Sequence, residues 1–387
     1  MNKFVFVVCG AKEHIDTLHY SLERLKKYSQ NEIIVLTDST RNAIKVEHSL
    51  IIDIETPKHF NHHQASIYLK TGIYKFLPKG NNYCYLDTDV IALNNDVDKI
   101  FEEFEAPVTF APDHCVVKKF SPYAVFCGCS EKWKIKRDIF EASSLKHDKN
   151  RAITDTEILS RQKILLSFFN DIQKNIFKKF TVAVRYFMAL KKFHLNEDFY
   201  FDKINREWVD KINGSVVLHE VPVKTIEKET GFKYNRWTQN WHDKEGNNIW
   251  QDECEHLPQF IYNKYKIKVN ANWQHWNGGV FLFNDQSHEF LASWHKKTME
   301  IFEDKNWRTR DQGTLIATAN EFGLQNHKKL SKKWNFIADY YNKGIDFNDE
   351  GFFTDNFWKS KYKVNFIHVY HHWGDESWGV WRRIVSI

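Results

Sequence analysis

No stretch of this 387-residue chain is apolar for long enough to span a bilayer. The N-terminus passes from Met1-Asn2-Lys3 straight into Phe4-Val5-Phe6-Val7-Val8, too short a run for a signal peptide and without a cleavage-like tail. A cytoplasmic protein is therefore expected. Charge of one sign is also scarce, with 55 Lys and Arg against 50 Asp and Glu and a net charge of +5. Nucleic-acid binding would want a concentrated basic footprint, so no nucleic-acid partner is expected, whereas a small polyphosphate-bearing substrate needs only a few placed cations. Cysteines are few and scattered, at positions 9, 84, 115, 127, 129 and 254, which reads as free, buried thiols in a reducing compartment. The close pair Cys127 and Cys129, taken with His114 and Cys115, does not have the spacing of a usual zinc site.

What the chain has is apolar and aromatic mass, 42% and 16% of residues, enough to bury a large core as one big domain or two. Aromatic faces suit sugar rings and membrane interfaces as well as cores, so this richness by itself selects no function. The organising stretch is Asn82-Tyr83-Cys84-Tyr85-Leu86-Asp87-Thr88-Asp89-Val90-Ile91. Apolar residues lead up to two carboxylates, the pattern of a buried strand that delivers acids to its carboxyl end, where open α/β sheets bind ligands. In an extended chain Asp87 and Asp89 share a side and suit one hard cation or a diphosphate–metal complex. Asp96-Val97-Asp98 repeats the form but precedes Lys99-Ile100-Phe101, so it reads as the acidic first turn of a helix.

Residues 4–8, a helix over 13–28 and a strand at 33–36 make a β-α-β start, which predicts a parallel sheet. Asp38 closes the second strand as a candidate for a ribose or base contact, or as the cap of the next turn. A strand over 49–54 leads through His59, His62 and His63, read as a solvated loop, to a helix over 65–77 whose Lys70 and Lys75 are in reach of a phosphate. After a strand at 107–111 the alternation stops. Residues 161–194 read as a helix with an apolar stripe and a basic face, expected to pack as part of an inserted helical subdomain, with an anionic membrane surface as the alternative partner. Trp237 and Trp241, among hydrogen-bonding side chains, suit a sugar-binding lip. The α/β pattern returns with a helix over 252–266, the strand Asn277-Gly278-Gly279-Val280-Phe281-Leu282-Phe283-Asn284, where two glycines allow a close approach, and a helix over 286–303. Arg308-Thr309-Arg310-Asp311-Gln312-Gly313 opens a further helix, and residues 364–372 form a terminal strand carrying His368, His371 and His372.

The order of these motifs resembles the GT-A glycosyltransferases of family 8, the glycogenin and lipopolysaccharide galactosyl- and glucosyltransferase group. Tyr85-Leu86-Asp87-Thr88-Asp89-Val90, the Asn-X-Gly-Val strand at Asn277, Asp311-Gln312, Trp334-Asn335 and His368 follow one another as in that family, over residues 3–113 and 270–378. The resemblance implies a GT-A fold, a Rossmann-like mixed sheet flanked by helices, formed by residues 1–114 and 269–387 around an insertion at 115–268. It implies a metal-dependent hexosyltransferase that uses a nucleotide diphosphate sugar donor, such as a UDP-sugar, and a glycan, glycolipid or protein acceptor, with retention. Asp87, Asp89 and His368 would hold Mn²⁺ or Mg²⁺, Gln312 and Asp311 would face the reacting sugar, and Asp38, Lys70, Asp87, Asn277, Gly278, Gly279 and Arg310 would bind the donor. Trp237 and Trp241 remain the candidate acceptor contacts.

Two departures stand out. The family's Arg on the helix before the central strand is replaced by Lys70, and its terminal Lys-Pro-Trp by Asp375-Glu376-Ser377-Trp378, so diphosphate binding falls to Lys70, Arg308, Arg310 or Arg382. The loss leaves open a protein that binds glycans without transfer. Asp87-Thr88-Asp89-Val90-Ile91 also resembles the nucleophile strand of haloacid-dehalogenase phosphatases, but that motif belongs on a first strand and two β-α units precede it here.

Overall fold

The computed structural model describes residues 1–236, 238–338, 345–347, 352–355 and 360–387. Trp237 lies outside the described residues. The chain divides into two compact units, Met1–Cys129 with Glu253–Ile387, and Ser130–Asp252. The insertion is thus shorter at both ends than 115–268. The helices Val117–Ala124 and His256–Tyr265 bury Val117, Ala124, Leu257 and Ile261 in the core of the first unit, which ties their segments to it.

The first unit is built on a six-stranded mixed sheet in the order Ile51–Asp53, Glu32–Thr37, Asn2–Val8, Asn82–Leu86, Gln274–Phe283, Thr109–Val116. The first four strands are parallel, and Gln274–Phe283 runs antiparallel to both of its neighbours. Both faces are covered, as the continuous apolar runs require. Phe4, Phe6 and Val8 pack with Leu18, Leu22 and Leu25 of the helix Lys12–Tyr28, while Val5 and Val7 face the other way toward Phe281 and Trp294. On that second face four rings form a ladder across the strands. Trp276 stacks on Phe110 at 5.1 Å, Phe110 on Phe281 at 4.6 Å, and Phe281 on Tyr85 at 4.8 Å.

Two irregularities position the site. Along Gln274–Phe283 the pairing jumps from Asn277 opposite Ala111 to Phe281 opposite Phe110, so Gly278, Gly279 and Val280 bulge away from that neighbour. Beyond Asp89 the chain forms the short strand Val90–Ala92, which pairs with Phe366–His368, itself beside Phe336–Ile337. In this register His368 lies opposite Val90, next to Asp89.

The second unit is helical in most of its regular structure and also carries an antiparallel sheet, Val216–His219, Glu207–Asp210, Phe199–Asp202, Lys192–His194, around Leu165, Phe193, Phe199, Phe201 and Val217. The single helix expected over 161–194 is two, Thr156–Gln173 and Ile176–Met188, followed by a strand. The break falls at Asn175, whose side chain accepts from the N–H groups of Phe177 and Lys178 and caps the second helix. The apolar stripe expected to pack does so only in part. Leu165 is fully buried, whereas Ile176 and Phe177 are 76% and 81% exposed.

Candidate active site

Asp87 and Asp89 leave the strand Asn82–Leu86 in a tight turn, closed by the Val90 N–H donating to the Asp87 carbonyl at 3.1 Å. The ligating atoms of Asp87, Asp89 and His368 all lie within 4.8 Å of one another. His368 Nε2 is 3.2 Å from Asp89 Oδ1. Burial opposes a charge on His368, but the Asp89 carboxylate outweighs it and raises the imidazole pKa above its ordinary value; Asp89 is lowered in turn, against its own burial. His368 Nδ1 meets Asn335 Oδ1 at 3.1 Å, which assigns the N–H to Nδ1 and leaves Nε2 as the atom that would ligate a metal ion. Asn335 also donates to Asn277 Oδ1 at 2.9 Å, and Asn277 donates to Asp113 Oδ2 at 3.1 Å.

Tyr85, the end of the ring ladder, donates to Asp87 Oδ1 at 2.5 Å. Burial first, and Asp87 second, push the phenol pKa well up, so it stays a donor. Lys70 Nζ lies 3.0 Å from Asp87 Oδ1 and 3.4 Å from Asp311 Oδ2. Burial disfavours that ammonium, but the two carboxylates more than offset it and hold Lys70 charged. Gln312 accepts from the Gly278 N–H at 3.1 Å and donates to the Trp276 carbonyl, with His275 Nδ1 at 3.2 Å from the same amide nitrogen. A cavity of about 450 Å³ opens over these groups, lined by Lys70, Tyr85, Asp87, Asp89 and Asp311 together with His63.

Two carboxylates and one imidazole make an oxygen-rich donor set that suits a hard divalent cation such as Mn²⁺ or Mg²⁺. Gly279 keeps the space around it open. A Cβ there would lie 2.6 Å from His368 Cε1 and 3.0 Å from Asp87 Oδ2.

Several expected residues have other partners. Asp38 is buried, accepting from Thr40, Thr56 and Arg41, and these bonds lower its pKa to about 2 despite burial; both oxygens serve to cap the turn after its strand. Arg310 Nε donates to the Phe302 carbonyl, Arg308 lies over the Phe126 ring, Arg382 donates to the Glu376 and Ser377 carbonyls, and Lys75 lies over Tyr74. Trp241 is 6% exposed and packs between Phe140 and Tyr234, so its ring faces are used by the core of the second unit instead of forming a lip. Conversely, His62 and His63 are not loop residues. They open the helix His62–Thr71 and line the cavity. Tyr85, Asp113 and His275 were given no site role from sequence. Asp113 lies in the strand Thr109–Val116, and only the pairing of that strand with Gln274–Phe283 brings it to Asn277.

No family model matches the chain, and no curated protein sequence matches it. Among solved structures it is similar to the galactosyltransferase LgtC in complex with donor and acceptor sugar analogues, with 10% identity, 99% of this chain and 94% of that one covered, and a TM-score of 0.42. It is similar to mouse xyloside xylosyltransferase 1 in its apo form, with 9% identity, 95% and 97% covered, and a TM-score of 0.38. For the bifunctional glycosyltransferase WbbM the figures are 10%, 95% and 45%, and 0.40. At such scores the likeness adds no weight to a functional reading, which rests on the residues themselves.

Replacing Asn335 by Ala removes the partner that orients His368, and Mn²⁺ affinity measured by calorimetry is expected to fall by about 10–100-fold. The metal needs a neutral Nε2, and below its raised pKa His368 carries a proton there. Affinity is therefore expected to climb as pH rises from the ordinary imidazole value through the raised one and to level off above it, with proton release visible as a buffer-dependent binding heat.

Proposed function

We propose that this protein is a metal-dependent glycosyltransferase that moves a hexose from a nucleotide diphosphate sugar, with a UDP-sugar as the first choice, to a glycan, lipid-linked or protein acceptor, with retention of configuration. The observation that carries this reading is the meeting of Asp87, Asp89 and His368 within 4.8 Å, with the two carboxylates on the wall of one cavity together with Lys70 and Asp311. A divalent ion held by those three ligands would bridge the donor diphosphate and take up the charge that develops as the nucleoside diphosphate leaves. Lys70, balanced between Asp87 and Asp311, is the cation placed to meet a phosphate oxygen, and it stands in for the missing Lys-Pro-Trp lysine. Gln312 is held by Gly278, Trp276 and His275, so its carbonyl oxygen is fixed at the Gly278 N–H, from where it would stabilise an oxocarbenium-like anomeric carbon. Asp311 would fix donor hydroxyls, and Gly278 and Gly279 let the sugar approach the backbone.

Nucleoside-diphosphate release from a panel of nucleotide sugars, with Mn²⁺ and with chelator, tests the proposal. Release that needs metal is expected, falling at least about 100-fold in Asp89→Ala and in Gln312→Ala, the size of effect seen when one oriented charge-stabilising group is lost. No release and no metal-dependent donor binding from any nucleotide sugar would reject transfer and favour a glycan-binding protein.

The second unit supports a membrane-surface role. Ile176, Phe177, Phe180, Val184, Phe187 and Met188 recur at helical spacing on one exposed face of Ile176–Met188, while Val182 and Tyr186 pack inward. Lys174, Lys178, Lys179, Arg185, Lys191 and Lys192 flank this face against the single acid Asp171, a charge pattern that matches an anionic bilayer. No helix among the described residues is long and apolar enough to cross a membrane. Co-sedimentation with phosphatidylglycerol vesicles, weak on pure phosphatidylcholine, is expected. It should be lost when Phe177, Phe180 and Phe187 are changed to Ser and weakened when Lys174, Lys178 and Lys179 are changed to Glu. Retention of binding in both variants would reject this surface.

A further inference from the structure

Away from the cavity, the fold gathers four side chains that the proposed transfer does not use. Cys127, Cys129, Cys254 and His256 present ligating atoms that all lie within 4.8 Å of one another. All four belong to the first unit, at the two points where the chain leaves it for the insertion and returns. The sequence reading grouped Cys127 and Cys129 with His114 and Cys115. The structure instead pairs His114 with Asp113, and Cys115 with Asp113 and His275.

Two of the ligand–ligand distances match edges of a tetrahedron, and the rest lie within 4.8 Å. Cys127 Sγ and Cys254 Sγ are 3.7 Å apart, and Cys129 Sγ and His256 Nδ1 are 3.4 Å apart. Zinc bonds of about 2.3 Å to sulfur and about 2.0–2.1 Å to nitrogen, at tetrahedral angles, set edges of about 3.75 Å and about 3.5 Å. A disulfide needs sulfur atoms about 2.05 Å apart, and all six cysteines are free. An S₃N donor set is soft and prefers zinc to Mg²⁺ or Mn²⁺.

The surrounding chain is built to converge these ligands. Gly128, between the two cysteines, has φ +69°, with no atom within 4 Å of where a Cβ would be. That left-handed turn brings two thiols separated by one residue to the same side. The Phe126 N–H donates to the Asn306 carbonyl at 2.8 Å, and the Cys127 N–H to Val125 at 3.0 Å, which anchors the first ligand pair. The second pair is anchored on the helix Val117–Ala124. The Cys254 N–H donates to the Lys118 carbonyl at 2.9 Å, and the Leu257 N–H to Ser121 Oγ at 2.8 Å. That buried hydroxyl is also 3.1 Å from Cys254 Sγ, a partner that would orient a ligating sulfur.

We propose that Cys127, Cys129, Cys254 and His256 form a structural zinc site that pins together the two ends of the insertion. Three thiols release their protons to solvent as the ion binds. With four protein ligands the ion keeps no open position, so the site is structural and separate from the oxygen-rich site at Asp87, Asp89 and His368. Each sulfur–sulfur or sulfur–nitrogen contact joins segments 127 residues apart, so the ion closes a long loop and restricts the unfolded chain.

The full-length protein, purified under reducing conditions without chelator, is expected to contain about one zinc per chain by elemental analysis, because one tetrahedral S₃N site takes one ion. Cobalt exchanged into it should give the intense visible bands of tetrahedral thiolate coordination. Zinc should be absent from Cys129→Ala and Cys254→Ala, present in Asp89→Ala, and restored by His256→Cys relative to His256→Ala. The wild-type cobalt spectrum and zinc content stand even where a cysteine variant does not fold. A metal-free protein after zinc supplementation, an octahedral cobalt spectrum, or fewer than six reactive thiols in the unfolded chain would overturn the proposal.

Discussion

Crowding of like charge beyond the carboxyl end of the inner strand Asn82–Leu86 is the constraint on which the rest of the structure depends. Asp87, Asp89 and Asp311 converge around a buried Lys70, in a setting where each charge is poorly screened. Each acid has a counterpart from a separate element. Asp87 takes the Tyr85 hydroxyl and Lys70, Asp89 takes His368, and Asp311 shares Lys70. Removing one partner would leave a buried charge uncompensated, which costs more than the pair contributes. A divalent cation would relieve the same repulsion, so a fold that tolerates this crowding is one already shaped to receive positive charge.

The apolar core sets where the charges stand. Tyr85 is both the last ring of the Trp276–Phe110–Phe281 ladder and the donor to Asp87, so packing fixes the carboxylate through a hydroxyl. The bulge at Gly278 and Gly279 does the complementary work, turning Asn277 toward Asn335 and leaving room for His368. The resulting chain Asp113–Asn277–Asn335–His368 runs across four segments far apart in sequence. Soft and hard side chains are kept apart within the same unit, thiols at the root of the insertion and carboxylates after the strand Asn82–Leu86, which would let the two groups select different ions.

Local patterning was enough to read the β-α-β start, the strand bearing Asp87 and Asp89, and the helix that opens at Arg310, because apolar periodicity and turn chemistry act over a few residues. The acidic pair at Asp96 and Asp98 was also legible as structural. Asp98 accepts from Ser29 and Gln30, and Asp96 pairs with Lys99. Trp241 misled because aromatic residues among polar ones look alike in a core and at a binding lip, and only burial separates them.

The sequence by itself determined which residue types were available for chemistry and which strands would be buried, since both follow from side-chain polarity and short-range periodicity. Tertiary structure alone decided which distant groups meet. Strand register set His368 beside Asp89, a bulge freed Asn277, and two helices packed on the sheet brought Cys254 and His256 to Cys127 and Cys129. The physical reason is that these contacts depend on sheet pairing and helix packing across more than a hundred residues, and no local pattern encodes them.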